Sequence, residues 1–289
     1  YEIGSGLVGS EMCIRDSPIS VRFGDEEFLD GVEITHEEFY TRLAECDELP
    51  KTSQPSPDTF MKVFNEAVAA GDDVLGIFIS SDLSGTYQSA CLAALDVEEE
   101  TRKKLYMVDS RSASIGTALL IREAVKLRDA GVNVSDIAAA CTEMSKYIKL
   151  TAVVGSLKYL KMGGRLSGAA AFAGTMLHIT PVVSIEDGKV VVIGKTRGKK
   201  AAEKLMHDKL IKDGLSLTRD FMFGHINCSE SLETFINKSL TYISDVNGNV
   251  GVSSIGCSVG THVGPGTYGI AYVEAAESGM NRESIVKTA

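Results

Sequence analysis

An unbroken apolar, β-branched run over residues 74–79 stops at Ser80-Ser81-Asp82-Leu83-Ser84-Gly85, and a helix-like pattern begins at Thr86. Strands without polar alternation are covered on both faces, so this order of strand, hydroxyl-and-glycine loop and helix points to an α/β chain. Loops at the carboxyl ends of such strands meet helix N-termini. The first N–H groups there lack intrahelical partners and carry partial positive charge. They can hold an anion, with the Ser84 and Thr86 hydroxyls beside them. Capping of the helix by Ser84 accounts for the same residue without any ligand.

The same logic runs in both directions along the chain. Ile19, Val21 and Phe23 alternate with polar residues as in a half-buried strand, Gly24-Asp25 turns, and residues 28–30 begin a return. Thr35 caps a predicted helix over 36–45, with Glu38 at the capping-box position. Lys51-Thr52-Ser53-Gln54-Pro55-Ser56-Pro57 reads as a loop, since its prolines exclude regular helix. Ser56 then caps a helix that Pro57 opens, with Phe60, Phe64 and Val68 on its apolar stripe. Beyond the 80–85 loop come a helix over 86–95 and a strand over 105–108 ending in Asp109-Ser110-Arg111-Ser112. Helices over 114–128 and 135–144 and a strand over 150–154 follow. Alternation of this kind predicts a parallel sheet covered on both faces.

Near Gly155 the pattern changes. Gly163-Gly164-Arg165 precedes a small-residue helix over 167–177, and Asp187-Gly188 between two apolar runs predicts a type I′ hairpin. Helices over 199–212 and 231–243 and strands over 221–226, 250–255 and 268–273 complete the chain, with 260–266 read as a loop. The expected fold is α/β: an N-terminal domain with a parallel sheet flanked by helices (18–155), then a C-terminal α+β domain with a mixed sheet (156–289). Residues 1–17 form an atypical opening without periodicity, and 11–16 resemble translated adaptor sequence.

Composition narrows the function. A formal net charge of −10 argues against a general nucleic-acid binder. The six cysteines include no C-x-x-C pair, so they read as reduced thiols of a cytoplasmic protein and a metal site is not expected. No apolar run is long enough to span a bilayer, and no secretory signal is evident. The phosphate-cradling G-x-x-x-x-G-K-[ST] and G-x-G-x-x-G patterns are missing, which leaves nucleotide binding unsupported.

Three stretches share one chemistry: Thr52/Ser53, Ser84/Gly85/Thr86 and Thr261/His262. Hydroxyls and backbone N–H groups hold a carboxylate or phosphate oxygen without a fixed cation; His262 adds a ring nitrogen, cationic if protonated, and Arg165 a bidentate clamp. Each has an ordinary alternative: Thr52 organising a proline turn, Arg165 pairing with a surface carboxylate, His262 as a hydrogen-bonded loop residue. Residues 169–177 could wall an apolar channel or simply pack as a helix, and Phe60, Ile79 and Phe223 are further lining candidates.

Thr52-Ser53-Gln54-Pro55-Ser56, the 80–90 stretch, Val108-Asp109-Ser110, residues 157–167 and residues 260–269 resemble, in order, the successive signatures of the DegV family. The resemblance covers nearly everything from Pro18 onward. It implies a bacterial fatty-acid-binding protein, without cofactor, metal or catalytic residue, whose ligand is a long-chain, palmitate-like fatty acid. Some members deliver the acyl chain to a separate fatty acid kinase that phosphorylates the carboxylate. Position by position, it implies that Thr52 and Ser84 hydrogen-bond the carboxylate, Gly85 offers its backbone amide, His262 lies nearby and Arg165 sits at the head-group end. Relatives usually open with an apolar strand, an Asp-Ser loop and a helix, where this chain has residues 1–17. Loss of that strand would leave its neighbours with unpaired backbone and lower the stability. The alternative is an acyl hydrolase or transferase with Ser84 as nucleophile and His262 as base, although Ser84 lacks the G-x-S-x-G elbow.

Overall fold

A computed structural model of the chain describes residues 15–46, 48–168, 179–216, 219–241 and 248–275. The opening segment through residue 14 and the core of the helix expected over 167–177 lie outside the described residues.

The first unit is a small antiparallel sheet. Strands β1 (Ser20–Phe23), β2 (Glu26–Leu29) and β3 (Lys51–Ser53) lie in the order β2-β1-β3. Lys51–Ser53, expected as loop, is therefore a strand: it pairs with β1 in the register Val21↔Thr52. Three residues carry no readable periodicity, so only the long-range pairing defines them. Helix α1 (His36–Glu45) starts where Thr35 predicts, with the Glu38 N–H donating to Thr35 Oγ1 at 3.2 Å. Helix α2 (Pro57–Ala70) is capped by Ser56.

The strand that opens the 80–85 loop is β4 (Leu75–Phe78), and it pairs in parallel with β5 (Tyr106–Asp109). Helix α3 (Thr86–Thr101) follows the loop; α4 (Ile115–Asp129) and α5 (Val134–Met144) follow β5. Phe60, Phe64, Ala90, Ala93 and Val97 of α2 and α3 cover one face of this pair. Ile115, Leu119, Ile137 and Cys141 of α4 and α5 cover the other. All four β4 residues are nonetheless only half-buried, not enclosed as expected, and among the described residues β4 pairs with β5 alone.

Strand β6 (Ile148–Val153) departs from the expectation that it joins the parallel set. It lies antiparallel between β7 (Thr180–Glu186) and β11 (Tyr268–Val273), inside a mixed sheet ordered β10-β9-β11-β6-β7-β8. Here β8 is Lys189–Thr196, β9 Phe221–His225 and β10 Val250–Ser254. An apolar strand reads alike in either sheet; the short α5–β6 connection and the β6–β7 pairing decide. The β7–β8 turn is the predicted type I′, with Asp187 and Gly188 both at positive φ (48° and 80°). Helices α7 (Lys199–Asp213) and α8 (Ser229–Ser239) pack on one face of the mixed sheet. Helix α4 packs against the other face, through Ile115, Met222 and Ala271. Short helix α6 (Lys158–Met162) follows β6.

Residues 260–266 do not form the expected loop throughout. Cys257–Val263 is a helix, α9, and it carries Thr261 and His262. Its N-terminus is capped from far away: the Cys257 and Ser258 N–H groups donate to the Asp30 carboxylate at 2.9 and 2.7 Å. Two charge-assisted bonds explain why Asp30 is only 2% exposed. Asp30, His36 and Cys257 also form a trio with metal-ligating atom types close together. The amide bonds account for the burial of Asp30 without an ion, and burial together with the Asp30 charge pushes the Cys257 thiol up, away from the thiolate.

Candidate functional site

Thr52 and Gln54 share one face of the chain. In extended backbone, residues two apart point the same way, and Pro55 biases Gln54 toward that conformation. Both line a cavity; Ser53 between them is exposed and does not. From the loop after β4, Leu83 and Ser84 reach the same cavity, and from α9 so does His262. Arg165 stands at its edge, exposed to solvent.

The polar groups at this end are interlocked. Thr52 Oγ1 and His262 Nε2 are 2.9 Å apart. Ser84 Oγ and Thr86 Oγ1 are 2.8 Å apart, and the Thr86 N–H donates to Ser84 Oγ at 3.3 Å. The N-cap of α3 is Gly85 rather than Ser84, and no side chain caps the helix there. Ser84 thus braces the first turn without capping it, and the hydroxyl keeps its place in the cavity wall. Arg165 is committed to carbonyls: Nε donates to Leu83 O at 3.2 Å and Nη1 to Gly163 O at 2.6 Å. It fastens the Ser84 loop to the Gly163-Gly164 turn and leaves the rest of its fork at the mouth. Thr261, by contrast, is buried and donates to Cys257 O inside its own helix. Its hydroxyl belongs to the fold.

The site is neutral at His262. Burial, followed by the nearby Arg165 charge, pushes the ring down to about 4, so the cationic form raised by the sequence is not the one present at neutral pH. Nδ1 is buried without a partner. It lies against Gly163, where a Cβ would come within 2.3 Å of it, so that glycine makes room for the ring, while Gly164 supplies the positive φ of the turn. A buried N–H without an acceptor is rarer than a bare acceptor, which places the ring hydrogen on Nε2. His262 then donates to Thr52 Oγ1, and the Thr52 hydrogen is free to donate to an anion in the cavity.

Behind these groups the cavity is apolar. Leu150 and Ala152 on β6 pair across the ladder with Ile185 and Val183 on β7, so one face of the mixed sheet forms its floor. Ile79, Leu160 and Ile255 close it from other elements. Of the lining candidates, Ile79 is in the wall, whereas Phe60 of α2 and Phe223 of β9 are core residues. The wall proposed over 169–177 lies outside the described residues. The cavity volume is about 160 Å³. Gln54, Ser258 and Thr267 are polar lining residues that the sequence reading passed over. The proline after Gln54 was the available signal for the first; nothing local marks the other two.

This geometry does not build an acyl-transfer triad. His262 bonds to Thr52 and Ser84 to Thr86, and among the described residues no carboxylate reaches His262 Nδ1.

Comparison with known proteins agrees with the fold. The family described as uncharacterised protein, DegV family, matches residues 13–275. A DegV domain-containing protein of Clostridium acetobutylicum is 36% identical over 264 residues, covering 88% of each chain. A solved structure of a DegV family protein from Thermus thermophilus, described as fatty acid binding, superposes with a TM-score of 0.78 at 31% identity, covering 89% of this chain and 90% of that one. A DegV lipid-binding protein from Thermotoga maritima gives 0.77 at 30% identity, with the same coverage. No described helix is long and apolar enough to cross a membrane. By sequence match along most of its length, the chain belongs to the DegV family.

Proposed function

We propose that this protein binds a long-chain fatty acid, with the carboxylate among Thr52, Ser84, the Gly85 amide and His262, and the acyl chain in the cavity behind them. The observation that carries the reading is the composition of that cavity: the hydroxyl residues Thr52 and Ser84 and the His262 ring at one end, aliphatic sheet face at the other. Fatty-acid and lipid binding by the Thermus and Thermotoga relatives supports it. The energetics suffice. Burying a methylene is worth about 0.8 kcal/mol, so about fourteen would supply roughly 11 kcal/mol before ordering costs. A neutral polar head-group site is then enough, since the tail supplies affinity and the head orientation.

In this reading the protein is a carrier and not an enzyme, needs no cofactor, and works in the cytoplasm, where its free thiols stay reduced. Exposed Arg165 marks the end at which a fatty acid kinase would meet the carboxylate. Native mass spectrometry of the purified protein tests the reading: a bound species of fatty-acid mass is expected. A delipidated sample without measurable affinity for palmitate would refute it.

A further inference from the structure

The two halves of the head-group site come from distant parts of the chain, and one side chain spans them. Gln54 Nε2 donates to Ser89 Oγ at 2.8 Å. Ser89 lies one turn into α3, and its own N–H donates to Gly85 O at 2.9 Å. The Gln54 amide therefore lies across the first turn of α3. A Cβ on Gly85 would stand 2.2 Å from Gln54 Oε1 and 2.9 Å from Cδ and Nε2.

Gly85 has φ −73° and ψ 5°, a conformation open to any L-residue. Backbone freedom does not explain a glycine here; the Gln54 amide does. We propose that Gln54 is a positioning residue, whose amide, seated on Gly85 and bonded to Ser89, sets the spacing between Thr52 on β3 and the Ser84-Gly85 turn of α3. Its role in affinity rests on the fatty-acid reading above; its role in geometry does not. Thr52 and Gln54 share a face two residues apart, so fixing one on α3 fixes the other. The carboxylate then meets donors from both elements at once, and preorganisation lowers the ordering cost of binding.

A double-mutant cycle tests this with delipidated protein and palmitate. Gln54→Ala is expected to weaken palmitate about five- to tenfold, the range for one lost hydrogen bond. Gly85→Ala should weaken it comparably by pushing the amide aside. The double variant should bind no worse than Gln54→Ala alone, a non-additivity that general destabilisation would not produce. Wild-type affinity in Gln54→Ala, or an equal effect of Gly85→Ala in both backgrounds, overturns the proposal. Should Gly85→Ala fail to fold, Ser89→Ala takes its place, with a loss expected in the wild type and none further beside Gln54→Ala. Hydrogen exchange without ligand separates the two readings. The amides of residues 80–89 should exchange faster in Gln54→Ala, and unchanged exchange overturns the positioning role even if the wild type binds no palmitate.

Discussion

The Thr52 hydroxyl and the His262 ring meet at 2.9 Å across 210 residues of sequence, joining β3 to α9. The bond shapes the site and also ties the three-stranded sheet to α9. With the ring hydrogen on Nε2, Thr52 is left as a donor facing the cavity. An uncharged pair of this kind attracts a carboxylate through directed hydrogen bonds and leaves charge attraction to Arg165 at the rim.

Removal of either hydroxyl should therefore act mainly on affinity. Thr52→Ala and Ser84→Ala are each expected to weaken fatty-acid binding by about 1–3 kcal/mol, as for a lost bond to a charged group. Thr52→Ala also leaves His262 Nε2 without its partner and should lower stability by about 1 kcal/mol, whereas Thr52→Ser should retain both properties. Calorimetric titration and denaturant unfolding measure the two effects separately. Unchanged affinity in both alanine variants would remove these groups from the head-group site.

The low value of His262 makes stability pH-dependent. Its folded-state value, about 4, lies below the ordinary 6.5, so the unfolded chain takes up the proton first as pH falls. Its contribution is intact above about pH 6.5 and lost progressively down to about pH 4, amounting to at most about 3 kcal/mol. His207 and His225, both lowered chiefly by burial, act in the same direction. Replacement of His262 by Gln isolates one term: the stability gap between wild type and His262→Gln should narrow between pH 7 and pH 4.5 in urea unfolding. A constant gap would mean that the ring is not the buried neutral group described.

Local chemistry was readable wherever a residue and its partner are neighbours in sequence. Thr35 before α1, Ser56-Pro57 before α2 and Asp187-Gly188 in the hairpin each act within four residues, and each stands where expected. Helix α9 was not readable, because its cap, Asp30, lies 227 residues away. Strand β3 was missed for the same reason, being defined by β1. In the site, Thr52, Ser84, Arg165 and His262 were identified by type and by family resemblance, and the cavity gathers all four. Ser53 fails because strand alternation turns it outward. Gln54 was passed over because its function lies in a contact with Gly85 that exists only after folding.

Asp30 should prove a residue on which the site depends without touching the cavity. Asp30→Ala strips two amide bonds from the start of α9 and is expected to destabilise by about 2–3 kcal/mol. Because α9 carries His262, fatty-acid affinity should fall as well. Asp30→Asn, which keeps one acceptor oxygen, should lose about half as much. Thermal unfolding and palmitate titration of the two variants check the order. Wild-type stability in Asp30→Ala would show that α9 needs no distant cap.

Tail selectivity should respond to the floor of the cavity rather than to its polar end. Ala152 lies there beside Val183, its cross-strand partner, and lines the cavity, so a larger side chain at 152 takes up cavity space. Ala152→Phe is expected to shorten the space open to the acyl chain while leaving Thr52, Ser84 and His262 in place. Each excluded methylene forfeits about 0.8 kcal/mol, so losing about four would weaken palmitate by about 3 kcal/mol. A twelve-carbon acid, needing less room, should be affected far less, and the order of preference between the two should reverse. Overpacking by itself lowers stability by about 1–3 kcal/mol, but it would weaken both acids alike. Competition between the two acids on wild type and variant therefore decides the matter: an unchanged ratio would mean that the tail does not lie over the β6–β7 face.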